Sequence, residues 1–166
     1  MAVADTRDEQ WSMLLEDQAC FALYAASRAL THLYRPVLEE LGLTYPQYLV
    51  LLVLWERGSV PVWELGAALH LDYGTLTPLL KRLEAHGILR RERSAADERS
   101  VLITLTEQGA ALQERARPIP GLIANAAGLT PAEFEQLRVL LRKLTANAIR
   151  AADAATAGGP VPSHTG

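Results

Sequence analysis

The 166-residue chain is 49% hydrophobic with a formal net charge of -3, which supports a compact core and argues against a disordered chain or a purely electrostatic nucleic-acid binder, expected to be basic. The apolar run Tyr48 to Trp55 is far short of the roughly 20 residues of a membrane span, and no secretory leader pattern opens the chain, so no membrane partner and a cytoplasmic location are expected. A single cysteine rules out an intrachain disulfide and leaves no Cys/His metal framework, and no cofactor is expected.

Residues 1–11 are polar and acidic and read as a flexible arm. Ser12 then offers a cap for a first helix beginning at Met13 or Leu14. Between Ala19 and Ala26 there is no charge, and Leu23, Ala26, Leu30, Leu33 and Val37 recur at three- and four-residue spacing, which predicts a helix buried on most sides. Pro36 lies near its end and Gly42 marks a turn. Thr44 caps a second helix, Tyr45 to Arg57, stopped by Gly58. Trp63 to Leu69 reads as a short third helix.

Asp72 caps a fourth helix whose Leu76, Leu79, Leu80 and Leu83 make one apolar face, with Gly87 as its stop. Pro78 removes a backbone donor from it, so the expectation is a bent helix from about Asp72; the other reading is a loose first turn that tightens after Thr77. Leu89 to Arg93, a loop through Ala95 to Glu98, and the alternating Val101, Ile103 and Leu105 predict a two-stranded hairpin. Thr106 starts a fifth helix interrupted by Pro118 and Pro120. Thr130-Pro131-Ala132-Glu133 is a capping box that opens a sixth, to about Ala152. The segment after Ala154 reads as a disordered tail.

A helix, a turn, a second helix and a charged hairpin make the plan of a winged helix-turn-helix, whose second helix enters the DNA major groove. With the leucines inward, the opposite side of the fourth helix carries Gly74, Thr75, Pro78, Lys81 and Arg82, small where bases come close and cationic where phosphate lies. The hairpin adds Arg90, Arg91, Arg93 and Arg99. Residues 72–99 hold six Lys/Arg against five Asp/Glu, while residues 1–20 hold one against five, so cationic charge concentrates modestly where DNA is expected.

The stretch LDYGTLTPLLKRLEAHGIL followed by RRERSAADERSVLITLTEQG, with Asp97-Glu98-Arg99-Ser100 before the second strand, strongly resembles the multiple-antibiotic-resistance regulator (MarR) family. With LEDQACFALYAASRAL and LTYPQYLVLLVLWE, the resemblance narrows to the organic hydroperoxide resistance regulator subgroup, in its one-cysteine form. It covers about Leu15 to Ile123. It implies a mainly α fold with a small β-hairpin wing, residues 44–105 as the DNA-binding region, and a homodimer formed by 12–43 and 106–153, leaving 154–166 as tail. It also implies a recognition helix contacting a double-stranded operator through Asp72, Gly74, Thr75, Thr77, Lys81 and Arg82. The wing would contribute Arg91, Arg93, and Arg99 braced by Asp97. Tyr73 departs from the small polar residue expected after Asp72.

Cys20 taken alone is most simply a small buried hydrophobe. A peroxide-sensing thiol must instead be held as thiolate with a path for the oxidant. A helix starting near Met13 would place Cys20 about two turns in, beyond useful help from its own macrodipole, so other donors are needed. The hydroxyls of Tyr24, Tyr34, Tyr45 and Tyr48 are candidates. Tyr24 shares the cysteine's face, whereas Tyr34 lies roughly 21 Å along the same helix and reaches Cys20 only from a second chain. The resemblance implies that Tyr34 and Tyr45 of the partner subunit meet the thiol in a pocket completed by Tyr24 and Phe21.

The function expected is a repressor that binds a pseudo-palindromic operator while Cys20 is reduced and leaves it when an organic hydroperoxide oxidises the thiol, with a small cellular thiol forming a mixed disulfide. The competing expectation is a repressor gated by a small lipophilic or phenolic ligand, with Cys20 inert. Enzymatic turnover is not expected, because the chain supplies no resolving thiol.

Overall fold

A computed structural model of the chain describes residues 12–93, 101–156 and 158. The acidic arm, the wing tip with Asp97 and Arg99, and all of the tail beyond Thr156 except Gly158 lie outside the described residues. The elements run in the order α1 (Ala19–Glu39), α2 (Tyr45–Arg57), β1 (Val60–Pro61), α3 (Val62–Leu69), α4 (Tyr73–Ala85), β2 (Leu89–Arg93), β3 (Val101–Leu105), α5 (Glu107–Ala116), α6 (Ile119–Ala127) and α7 (Pro131–Thr156). They form two compact units, Met1–Ile123 and Ala124–Gly166.

The core of the first unit is built where apolar periodicity meets good caps. Thr44 opens α2, with the Gln47 side-chain oxygen accepting from the Thr44 amide at 2.8 Å and from its hydroxyl at 3.1 Å. That closes the first turn and satisfies the one buried polar side chain among the described residues. Val50, Leu51 and Leu54 of α2 then pack with Leu65 of α3, Leu76, Leu80 and Leu83 of α4, and Ile103 of β3. Burying side chains of this kind contributes about 1.5–3 kcal/mol each before conformational entropy is subtracted.

The leucine spacing of α4 gives the expected face, and the helix runs through Pro78 without a break. The hairpin pairs Leu89 with Leu105 through to Arg93 with Val101, and it is not alone: Val60 pairs Ile103 and Pro61 pairs Leu102. The sheet therefore has three strands, in the order β1-β3-β2. Two residues ending in proline carry no alternation to betray a strand, and pairing on one side only is the position proline tolerates.

Thr106 joins sheet to α5. Its amide donates to the Ile88 carbonyl at 3.1 Å, its hydroxyl donates to the Gly87 carbonyl at 2.6 Å, and its hydroxyl oxygen accepts from the Gly109 amide at 3.1 Å. Gly109 is buried, and only glycine fits there, since a Cβ would stand 2.0 Å from the Ile88 carbonyl oxygen. The indole N–H of Trp55 donates to the Gly109 carbonyl at 3.0 Å and ties α2 to the same junction.

Three expectations about helices are corrected. The first helix starts at Ala19, after a 3-10 turn over Leu15–Asp17, and Ser12 accepts from the Leu14 amide instead of capping it. Nor is α1 buried on most sides. Of its residues only Leu38 is buried, while Phe21, Leu23, Tyr24 and Leu30 are exposed. Its apolar surface was read as internal because the spacing of apolar residues does not say which chain covers them. Between the two prolines that were expected only to interrupt α5, the chain starts a new helix, α6. Pro120 falls near its start, where the missing amide costs little, and Ile119 and Ile123 enter the core.

In the second unit, the Thr130 amide and hydroxyl donate to Glu133 at 2.8 and 2.7 Å, forming the capping box of α7. The helix runs to Thr156, past the expected end at Ala152, and none of its residues is buried. Leu137, Leu140, Leu144 and Ile149 give it an exposed apolar stripe.

Candidate functional site

The late start of α1 changes the setting of the thiol. Gln18 is the N-cap, so Cys20 is the second helical residue and lies in the first turn. Four amides there lack intrahelical partners, and the macrodipole favours negative charge. The sulfur is free and exposed. Tyr24 is one turn on and 57% exposed. The Arg28 guanidinium donates to the Tyr24 hydroxyl at 3.1 Å, which leaves the phenol hydrogen available for a further acceptor. Phe21 is 38% exposed.

Tyr34 lies fourteen positions from Cys20 in the same unbroken helix, about 21 Å away at 1.5 Å per residue. It is drawn into a different neighbourhood. Its ring centroid is 4.7 Å from that of Tyr45 and 5.9 Å from that of Tyr48, and Tyr48 in turn meets Trp55 edge-on at 6.2 Å. Burial, with Tyr45 and Tyr48 adding to it, pushes the Tyr34 phenol up to about 12. Burial also raises Tyr45 and Tyr48. All three phenols are thus held as protonated donors. The structure brings Tyr34 and Tyr45 together and adds Tyr48, which spacing could have joined to Tyr45, three residues before it on α2. Within one chain it separates the cluster from Cys20.

Beside Tyr45 lies a cleft of about 650 Å³ lined by α1 and the start of α2, with Arg28, His32 and Arg35 on one side and Leu38, Leu43 and Pro46 below. Sequence reading missed this cleft. The signal was a basic row at i, i+4 and i+7 on a helix otherwise read as apolar. Arg35 is paired with Glu39 at 2.7 Å.

The described residues expected to contact DNA gather on α4 and β2. The Asp72 carboxylate accepts from the Thr75 amide at 2.8 Å and from its hydroxyl at 2.9 Å, and these bonds hold its pKa below the usual carboxylate range. The Thr77 hydroxyl donates to the Tyr73 carbonyl at 2.7 Å. Gly74, Thr75, Pro78, Lys81 and Arg82 are exposed on the side away from Leu76, Leu80 and Leu83. Arg91 meets Glu84 at 2.6 Å, a bridge from β2 to α4 that the sequence reading did not foresee, and Arg90 pairs with Glu92 at 2.6 Å. Arg91 therefore splits its charge between structure and solvent, while Arg93 is exposed at the end of β2.

Among the described residues, no group of three His, Cys, Asp or Glu side chains is arranged to hold a metal, and no helix is long and apolar enough to cross a membrane.

Comparison with known proteins bears on the family and the fold. Residues 32–115 match the family model "Transcriptional regulator SarA/Rot". The chain is 52% identical to the organic hydroperoxide resistance transcriptional regulator of Bacillus subtilis over 80% of its own length and 90% of that protein. The structure of reduced AbfR bound to DNA superimposes with a TM-score of 0.72 at 35% identity, covering 87% of this chain and 97% of that one; AbfR, a protein of Staphylococcus epidermidis, has also been solved overoxidised and bound to DNA, with a TM-score of 0.62 at 42% identity over 78% and 95% of the chains. Bordetella bronchiseptica BpsR, described as regulated in its DNA binding by 6-hydroxynicotinic acid, matches with a TM-score of 0.74 at 29% identity over 81% and 98%. With its winged helix, its single Cys20 and this degree of identity, the chain belongs to the MarR family of transcriptional regulators, within the organic hydroperoxide resistance regulator subgroup of one-cysteine type.

Proposed function

We propose that the protein is a homodimeric, redox-sensing repressor that occupies a pseudo-palindromic DNA operator while Cys20 is reduced and is released by organic hydroperoxides. One observation carries the reading. Cys20 and Tyr34 are held far apart along α1, Tyr34 packs against Tyr45 at the start of α2, and the apolar surface around the thiol is uncovered. A second chain with its α1 antiparallel meets both needs at once: it covers Phe21, Leu23 and Leu30, and it brings the protonated phenols of one chain to the sulfur of the other. The residues 12–43 and 106–153 supply that interface, and 44–105 carry the DNA contacts through α4 and the wing. Two α4 helices about 34 Å apart then fit successive turns of the major groove.

In the sensing step the Cys20 thiolate, supported by first-turn amides and partner phenols, attacks the distal peroxide oxygen. The O–O bond breaks, the sulfur keeps the distal OH as a sulfenic acid, and the leaving alkoxide takes a proton from water to depart as the alcohol. A small cellular thiol then displaces water to give a mixed disulfide, since the chain has no second cysteine. The added bulk no longer fits between the phenols, the two α1 helices shift, and the half-site spacing is lost. The thiol is oxidised once per signal and does not turn over as in an enzyme; operator binding places the protein in the cytoplasm.

The test is operator affinity at fixed salt for wild-type and Cys20→Ser protein, before and after one equivalent of cumene hydroperoxide, with and without a small thiol. Wild-type protein should lose binding and the serine variant should keep it. Release of the serine variant by peroxide removes the mechanism. It would leave the second reading, a repressor gated by a small phenolic ligand, which is favoured specifically by the cleft beside Tyr45.

A further inference from the structure

We infer that Tyr73 reads a base of the operator, donating its phenol hydrogen to a base-edge acceptor in the major groove, and so sets a sequence preference at one position of each half-site. The inference rests on the DNA-binding reading above, and it comes from an inventory of donors on the first turn of α4. Asp72 is an acceptor, and both of its carboxylate oxygens are occupied by Thr75. Gly74 has no side chain. The hydroxyl hydrogen of Thr75 is spent on Asp72 at 2.9 Å, and that of Thr77 on the Tyr73 carbonyl at 2.7 Å. The two threonines expected to read bases therefore face DNA with methyl groups and acceptor lone pairs only.

Tyr73 is the exception. It is the first residue of the helix, 71% exposed, and its hydroxyl has no hydrogen-bond partner among the described residues. Side chains on a helix lean toward its N-terminus, so a first-turn tyrosine projects ahead of the helix end, the part of a recognition helix that approaches base edges. Its backbone is held by the Thr77 bond, and the Asp72 cap fixes the turn around it, so the ring is carried on a rigid mount. Gly74 beside it, without a Cβ, lets the backbone approach closely enough for the phenol to reach the groove floor.

The experiment begins with an operator selected by reduced wild-type protein from a randomised duplex library. Affinities of wild-type, Tyr73→Phe and Tyr73→Ser proteins are then measured on that operator, on every single base-pair variant of a half-site, and on nonspecific duplex at the same salt. Removing one neutral hydrogen bond should weaken operator binding about 3- to 10-fold in Tyr73→Phe. The loss should be accompanied by a flattened preference at one base-pair position only, and Tyr73→Ser, too short to reach, should behave alike. Removing the major-groove acceptors at that position one at a time, with a 7-deazapurine for a purine N7 or a base analogue lacking guanine O6 or thymine O4, should in one case cost wild-type protein the same factor and Tyr73→Phe nothing further. An equal loss on every duplex, including nonspecific DNA, would overturn the inference in favour of a phosphate contact, and no loss at all would overturn it outright. If wild-type protein selects no sequence, the DNA-binding reading itself fails and takes this one with it. Thermal melting of the phenylalanine variant should match wild type, since the hydroxyl has no partner in the described chain.

Discussion

Replacing Tyr34 with phenylalanine should make stability less sensitive to alkaline pH. Burial beside Tyr45 and Tyr48 pushes the Tyr34 phenol up to about 12 from its ordinary 10.0. Between those two values an unfolded chain has already released this proton while the folded chain retains it. The unfolded state then binds fewer protons, so stability falls as pH rises, and the contribution is complete below pH 10. A shift of this size corresponds to about 2.7 kcal/mol at 1.36 kcal/mol per unit, and the half-buried position reduces it to about 1–2 kcal/mol through solvent screening. Urea unfolding of wild-type and Tyr34→Phe protein from pH 8 to 12, at one protein concentration, isolates the effect because the other titrating groups are common to both. The wild-type curve should fall below that of the variant progressively above pH 10. Absorbance at 295 nm should show at least one of the five tyrosines ionising late. Parallel stability curves, or tyrosines that all titrate near 10, would refute the claim that burial in the cluster raises the Tyr34 phenol.

Gly109→Ala should destabilise the protein by about 2–3 kcal/mol in urea unfolding, because the new Cβ meets the Ile88 carbonyl oxygen at 2.0 Å and backbone cannot swing aside; an unchanged midpoint contradicts the close approach of α5 to Ile88, just before β2. Asp72→Ala should weaken operator binding several-fold by fraying the first turn of α4. Because the pKa of Asp72 is lowered by the Thr75 bonds, its cap is present above the ordinary carboxylate range and is lost only as pH falls through the depressed value, which amide exchange of Thr75 across the acid range would report. Leu144→Glu, on the exposed stripe of α7, should raise the dimer dissociation constant at least about tenfold, because a charge placed in an apolar interface costs more than the 1.4 kcal/mol that factor represents; sedimentation that still shows a dimer at the wild-type concentration range contradicts α7 as an interface helix.

Local chemistry made much of this protein legible in its sequence. Thr44, Asp72, Thr106 and Thr130 cap helices through bonds to residues three positions on, and the leucines of α4 declare their inward face by spacing alone, since both signals act within one or two turns. Elements whose existence depends on distant partners were not legible. Strand β1 is two residues that are a strand only because β3 lies beside them, and α6 survives its prolines because Ile119 and Ile123 find a core. The start of α1 lies five or six residues later than the caps suggest, and that moves Cys20 from mid-helix to the first turn. Sequence pointed to the tyrosines as candidate donors. Tertiary structure alone decided that Tyr34, Tyr45 and Tyr48 pack as one protonated cluster, that Thr75 and Thr77 spend their hydroxyl hydrogens internally, and that the apolar face of α1 remains uncovered. Periodicity records that a face is apolar, whereas what covers it is fixed by contacts between residues far apart in the chain.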